Sequence, residues 1–432
     1  STYEFEHSRF SVASLSDSLS LDQSNLLQHL GDNSNVLMPH SKTFELYKAN
    51  AKRTNDPGVQ YELALIMIKA AFAEKAPTDD STSESATPNG KSRLSLLFPS
   101  SGKVSSVNSS PGRTPSSSSV ALSSESSSQQ QQGRRDPDKA IIKEAIGILK
   151  KLAERGHTDS QYLIADILSV GTIGKPDLVE SFNLFLAASK HGHVESTYRV
   201  ALCYEKGWGT AKDYRKCIQY LRQACSKNHP GAMFRYGAAA YHGRLGLSQA
   251  KKVRYDGIKW LMRASEVANE IFPAAPYELA LIFLNGFEDL IIPDKNYALQ
   301  LLTRSAELNH GPAAVRLGSA YERGDDDLNC PPDASLSIHY YTIGAMAGEP
   351  MAMMGLLSWY VSGAEGVLDR NEEQAYQWAR RAAFAGDAKG QFAVGYFLEE
   401  GIGTDPDPAG AMEWYMKAAK NGDQRAKARI AD

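Results

Sequence analysis

Cysteine is scarce in this 432-residue chain, and its scarcity narrows the field first. The four thiols, Cys203, Cys217, Cys225 and Cys330, show no CxxC spacing and no paired framework. That pattern fits a reducing compartment better than a disulfide-stapled secreted scaffold, and it offers no thiolate metal site. Charge of one sign is lacking too. Against 47 Lys and Arg stand 50 Asp and Glu, a net of −3, and the basic residues are dispersed, so no global field favours nucleic acid. No apolar run approaches the length of a membrane span and no signal-peptide pattern is present. The catalytic signatures HExxH, GxSxG, Walker A and a strand-borne GxGxxG are absent, as is any strand pattern to carry the last three. The ten histidines are scattered. His191 and His193 come nearest to a ligand pair, yet they fall in a turn between repeats with no cysteine at metal spacing. No catalytic residue, cofactor or metal is expected.

What the chain has in quantity is repetition. Segments with tails like LKKLAERG close at Gly156, Gly192, Asn228, Ala268, Asn309, Gly348, Gly386 and Gly422, at spacings of 36, 36, 40, 41, 39, 38 and 36 residues. A period in this range means stacked helical hairpins. The first helix of each copy carries a large apolar residue, a small one beside it, another apolar or aromatic residue three later, and then Gly; Leu317, Gly318, Tyr321 and Gly324 are one example. The small residue admits the partner helix, and the glycine permits a left-handed cap. A turn such as GWGTAKD (207–213) or GIGTDPD (401–407) follows. The second helix keeps small, aromatic and paired small positions, as in Ala375, Trp378, Ala382, Ala383 and Gly386. These positions recur at helical period and define a core face. Hydrophobic residues at 42% suffice for a continuous core and charged residues at 22% for a soluble surface. The expected fold is all-α: a right-handed α-solenoid of about eight hairpins.

The array divides by composition. Residues 1–39, rich in Ser, Asp and Asn, read as a flexible N-terminal arm. Residues 40–76 hold a capping helix at about 40–54 and the first helix (59–72) of an interrupted hairpin. Residues 77–136 contain twenty serines, a Gln run and almost no aromatics. Such a tract buries too little apolar surface to offset the entropy of ordering, and a disordered insert is expected. The second helix of the interrupted hairpin is expected over 138–156, and the array proper over 137–432. Within the insert Thr87, Ser110 and Thr114 each precede proline and are candidates for phosphorylation. The chain starts without Met and stops where another hairpin should begin, so it reads as a piece of something longer.

One column of residues faces away from its own hairpin. Two positions before the large apolar residue, the first helices carry Tyr61, Tyr162, Tyr198, Phe234, Tyr277, Val315, Met354 and Phe392. A two-residue step turns 200° about a helix. In a right-handed solenoid the first helices line the concave side, which makes the column a candidate groove. Tyr162, Tyr198, Phe234, Tyr277 and Phe392 would be its anchors and Arg199, Arg235 and Arg316 its charges, with Glu205, Glu322 and Glu399 one turn further on. The alternative keeps the rings as packing between adjacent first helices and the charges as a solvated face.

The A-x-x-x-LG-x-x-Y-x-x-G … A-x-x-W-x-x-AA-x-x-G grammar resembles the Sel1-like repeat, a relative of the tetratricopeptide repeat. Beyond the grammar, PHSKTFELYKANAKRTNDPGVQYELALIMIKAA, then AIGILKKLAERGHTDSQYLIAD after the serine-rich gap, then NHPGAMFRYGAAAYHGRLGL and QFAVGYFLEEGIGTDPDPAGAMEWYMKAA, resemble the fungal chitin synthase activator family over about 40–432. The resemblance implies a non-catalytic partner that binds cytosolic parts of a membrane chitin synthase and activates or localises it in cell-wall and septum formation. It also implies links to a septin-associated scaffold at the bud neck or septum, on the cytoplasmic face of the plasma membrane. Peripheral membrane attachment would depend on C-terminal residues beyond Asp432. A Sel1-like adaptor in another pathway, such as membrane-protein degradation, is the alternative.

Overall fold

The computed structural model describes residues 48–49, 51, 53–73, 137–171 and 175–431. They belong to two compact units, residues 1–177 and 178–432. Among the described residues there is no strand, only three isolated bridges in turns, and no helix is long and apolar enough to cross a membrane. The expected arm (1–39), most of the capping helix and the insert (77–136), with Thr87, Ser110 and Thr114, lie outside the described residues.

The first unit holds α1 (Pro57–Ala73), α2 (Pro137–Glu154) and α3 (Thr158–Val170). The two helices of the interrupted hairpin run close to the expected 59–72 and 138–156, and α1 packs on α2, which packs on α3. Leu63, Ala64 and Met67 of α1 are buried, and Ala145, Leu149 and Leu152 of α2 are wholly removed from water.

The second unit continues with α4 (Leu178–Lys190), α5 (Val194–Lys206), α6 (Tyr214–Ser226), α7 (Pro230–His242), α8 (Lys251–Glu266), α9 (Ala274–Asn285) and α10 (Lys295–Glu307). It ends with α11 (Gly311–Arg323), α12 (Ala334–Met346), α13 (Pro350–Ser362), α14 (Glu372–Phe384), α15 (Ala388–Glu400), α16 (Pro408–Lys420) and α17 (Gln424–Ala431). Each helix packs on the next. First helices also touch first helices (α7 with α9, α11 with α13), and second helices touch second helices (α10 with α12). Contacts of this nearest-neighbour kind define a repeat array.

The boundaries follow from local chemistry. Five second helices start on a side chain that accepts the third helical N–H: Asp213, Asp294, Asp333, Asn371 and Asp407. Each satisfies a donor the helix leaves open. The turns between repeats pivot on a residue at positive φ, namely Gly156, Gly192, Asn228, Asn309, Gly348, Gly386 and Gly422. This explains why the repeats end in Gly or Asn, the residues that enter the left-handed region at least cost.

The small positions also have a measurable reason. A Cβ on Gly318 would lie 2.6 Å from the ring of Tyr341, and one on Gly395 would lie 2.7 Å from that of Tyr415. Each second-helix tyrosine therefore fills the space its partner glycine leaves. A continuous core then threads the hairpins, with Ile258, Leu261, Leu279, Leu302, Leu317 and Leu328 among its fully buried members. Each is worth about 2 kcal/mol of transfer free energy.

Candidate functional site

The face formed by successive first helices begins with the turns that launch them. His157, His193 and His229 are N-caps whose Nδ1 accepts the backbone N–H of Ser160 (3.3 Å), Ser196 (3.1 Å) and Ala232 (3.1 Å). A backbone N–H only donates, so each Nδ1 is the unprotonated nitrogen and the proton sits on Nε2. At His229 that Nε2–H donates to Glu195 Oε2 at 2.7 Å. Glu195 also accepts from Arg199 Nε at 2.9 Å. Burial pushes the Glu195 carboxyl up, but the bonds from His229 and Arg199 outweigh it and hold the group below the usual carboxylate range.

The capping imidazoles are where the aromatic column rests. Tyr61 lies 5.3 Å from His157, Tyr198 stacks on His229 at 4.6 Å, and Tyr277 lies 5.0 Å from His310. Phe272 meets both Tyr198 and His229 edge-on. A ring from one first helix thus packs on the start of the next, an arrangement worth roughly 1 kcal/mol beyond its buried area. Tyr198 is only 6% exposed and Arg199 only 7%. Neither can serve as an open groove anchor, and this corrects the expectation for both. The cause is the short spacing of the stack, which lets the next helix cover a side chain that its own hairpin leaves uncovered. Phe234 and Tyr277 are half-buried against the central core, Phe392 lies between Tyr415 (5.4 Å) and the Arg425 guanidinium (4.2 Å), and Tyr162 is half-buried in the first unit.

The flanking charges are spoken for as well. Arg235 grips both oxygens of Glu205 at 3.0 and 2.8 Å, and Arg429 does the same to Glu399 at 3.2 and 2.8 Å. In each case the glutamate of one first helix takes the arginine of the next. Although burial opposes its charge, Tyr198 and Glu205 hold the Arg235 guanidinium in the ionised form. The hydroxyls of Tyr341 and Tyr415 donate to Glu322 and Glu399, both at 2.6 Å. Arg316 is the most open of the expected charges, with 42% of its side chain exposed, and it pairs with Asp325 at 2.8 Å. The first-helix face is therefore a network that binds repeat to repeat.

Several of these residues were legible in principle. The motifs H-T-D-S (157–160) and H-V-E-S (193–196) set an acceptor three residues before a serine, the spacing of an N-cap. Both Arg–Glu pairs are 30 residues apart, which carries a contact from the end of one first helix to the next first helix. The four cysteines are buried free thiols, and burial pushes Cys203, Cys217 and Cys225 up to about 12, so they behave as small core residues.

Comparison with known proteins agrees with this architecture. The Sel1 repeat model matches seven segments: 158–193, 194–229, 230–267, 273–310, 311–349, 351–387 and 388–423. The chain is 41% identical over 396 residues to the chitin synthase regulator SKT5 of Saccharomyces cerevisiae, covering 92% of this chain and 51% of that protein. It is 36% identical over 294 residues to chitin synthase regulatory factor 3 of Schizosaccharomyces pombe, covering 67% and 31%. It thus spans about half or less of the length of these relatives. Among solved structures, c5321 of uropathogenic Escherichia coli superposes with a TM-score of 0.53 at 25% identity, covering 66% of this chain and 58% of that one. A Sel1 repeat protein from Oxalobacter formigenes gives 0.51 at 23% identity, covering 70% and 82%, and shows the fold alone. Seven matched segments, spanning more than half of the chain and each built as a hairpin of two helices, make this chain a member of the Sel1 repeat family.

Proposed function

We propose that this chain is the repeat portion of a non-catalytic regulator that binds cytosolic parts of a membrane chitin synthase and activates or positions it. The observation that carries the reading is the 41% identity that runs through 92% of the chain to a chitin synthase regulator. The relation to chitin synthase regulatory factor 3 supports it independently over 67% of the chain. A stack of hairpins suits the task, because it offers a long surface whose internal contacts are satisfied without the partner. Activation needs only that this surface bind one state of the enzyme more tightly, and a shift from a minor to a dominant active state takes about 5 kcal/mol of differential affinity. The same reading puts the chain on the cytoplasmic face of the plasma membrane at the septum or bud neck, beside a septin-associated scaffold.

The test is affinity capture. The tagged chain, with and without residues 77–136, is incubated with detergent-solubilised fungal membranes, and the retained proteins are identified by mass spectrometry. Retention of a chitin synthase by both forms is the expected result. Retention of other proteins without it ends the pathway assignment and leaves the fold untouched.

A further inference from the structure

The turns that lead from second helices to first helices sit on one edge of the second unit, and their outermost side chains are mostly polar or small. The second helices close on Lys190, Ser226, Glu266, Glu307 and Lys420, but α12 closes on Met346 and α14 on Phe384. The second residue of a first helix is Glu195, Gly231, Ala275, Pro312, Lys389 or Arg425, but in α13 it is Met351. These three departures are among the most exposed large apolar side chains of the chain: Met346 at 56%, Met351 at 69% and Phe384 at 69%. They fall in consecutive turns, and the Phe384 ring reaches the next repeat to meet Trp414 edge-on at 5.6 Å. Core packing does not call for large apolar residues at registers filled elsewhere by charged or small ones.

The patch has a charged rim of one sign. Arg380 lies over Phe384 at 5.7 Å, Arg381 over Trp378 at 4.4 Å and Lys417 over Trp414 at 4.2 Å, while Lys420 closes α16. None of the four forms an ion pair among the described residues. Of the carboxylates in the neighbouring turns, Asp387 caps α15 through the Gly390 N–H and Asp423 is held by Arg425 at 2.8 Å, while burial pushes the Glu349 carboxyl above its usual range. Exposed methionine and phenylalanine with uncompensated arginine and lysine is the composition of an adaptable docking surface.

We propose that this edge, formed by Met346, Met351 and Phe384 with Arg380, Arg381, Lys417 and Lys420, docks an acidic segment with apolar side chains from the partner. The choice rests on charge complementarity, since the four cations have no carboxylate of their own. The proposal builds on the synthase reading above and names the chemistry of the segment. The apolar side chains of the segment bury Phe384 and Met351, and its carboxylates meet the cations as charge-assisted hydrogen bonds.

The experiment uses the full chain against overlapping synthetic peptides covering the cytosolic parts of a fungal chitin synthase, with affinities read by fluorescence anisotropy. Two variants are compared, M351S/F384S and R381E/K420E, together with a control on the opposite edge, E365K/D369K. Circular dichroism checks that each keeps its helicity. The expected result is binding of acidic, apolar peptides that weakens about tenfold or more in both variants and not in the control. Peptide binding equal in all proteins overturns the surface and leaves the synthase reading standing. So does failure of every peptide while solubilised synthase is retained equally by wild type and variants. Loss of synthase retention by the wild type itself removes both. Binding of vesicles containing phosphatidylserine through this edge, without peptide binding, overturns the proposal in favour of lipid headgroups.

Discussion

At the scale of single residues, His310 is the informative case. It stands where His157, His193 and His229 cap their helices, yet its side chain makes no capping bond, and burial depresses its pKa to about 4. An unfolded histidine titrates near 6.5, so between about 4 and 6.5 the unfolded chain binds the extra proton. The contribution of His310 is therefore fully present above about 6.5 and is lost as pH falls towards 4, by up to roughly 3 kcal/mol. Urea denaturation of wild type and His310→Phe across this range should show the wild type losing more stability on acidification. Parallel curves would contradict the assignment. Gly355 gives a steric test. A Cβ there would sit 2.5 Å from the Tyr341 ring, which is wedged between α11 and α13. Gly355→Ala should cost about 1–3 kcal/mol, readable as a lower urea midpoint at unchanged slope.

Elements show what the sequence can carry and what it cannot. The hairpin turns were legible because the chemistry that makes them is local: Gly or Asn at positive φ, and Asp or Asn three residues before a donated N–H. Asp333→Ala should accordingly cost about 1 kcal/mol through the lost bond to Leu336, seen in thermal melts of the second unit. The aromatic column was half legible. The rings of Tyr198 and Tyr277 reach His229 and His310 at the start of the next first helix, and the period of one helix holds no information on what the neighbouring repeat lays over them. Arg235 and Arg316 looked like free charges for the same reason, since their partners belong to another helix and to a turn, whereas Arg199 pairs within its own helix with Glu195 four residues earlier. The pairing between repeats is itself testable. Side chains of Arg235 and Glu205 are only 15% and 16% exposed, so water screens them weakly. A double-mutant cycle with Arg235→Ala and Glu205→Ala should return a coupling of about 1–3 kcal/mol that added salt barely changes. Coupling near zero would reduce the contact to a surface pair.

For the molecule as a whole, the second unit is held together by contacts between neighbours, and its stability should behave accordingly. Its core runs without a gap from α8 through α12, and Leu302 in α10 is fully buried near the middle of it. Truncating Leu302 to alanine removes about 2–5 kcal/mol at that point, more than one interface can lose without consequence. In a nearest-neighbour array such a loss falls on the coupling between the two sides of the lesion. The five tryptophans report on both sides: Trp208 and Trp260 lie before α10, and Trp359, Trp378 and Trp414 after it. Single-tryptophan versions of the wild type should unfold in urea with coincident transitions. In the Leu302→Ala background the reporter at Trp208 should separate from that at Trp414, each with a shallower slope, because each then reports the unfolding of a shorter stack. If the two remain superimposed and merely shift together, the array folds as one cooperative block, and the ion pairs and stacked rings between first helices transmit more than their nearest-neighbour share.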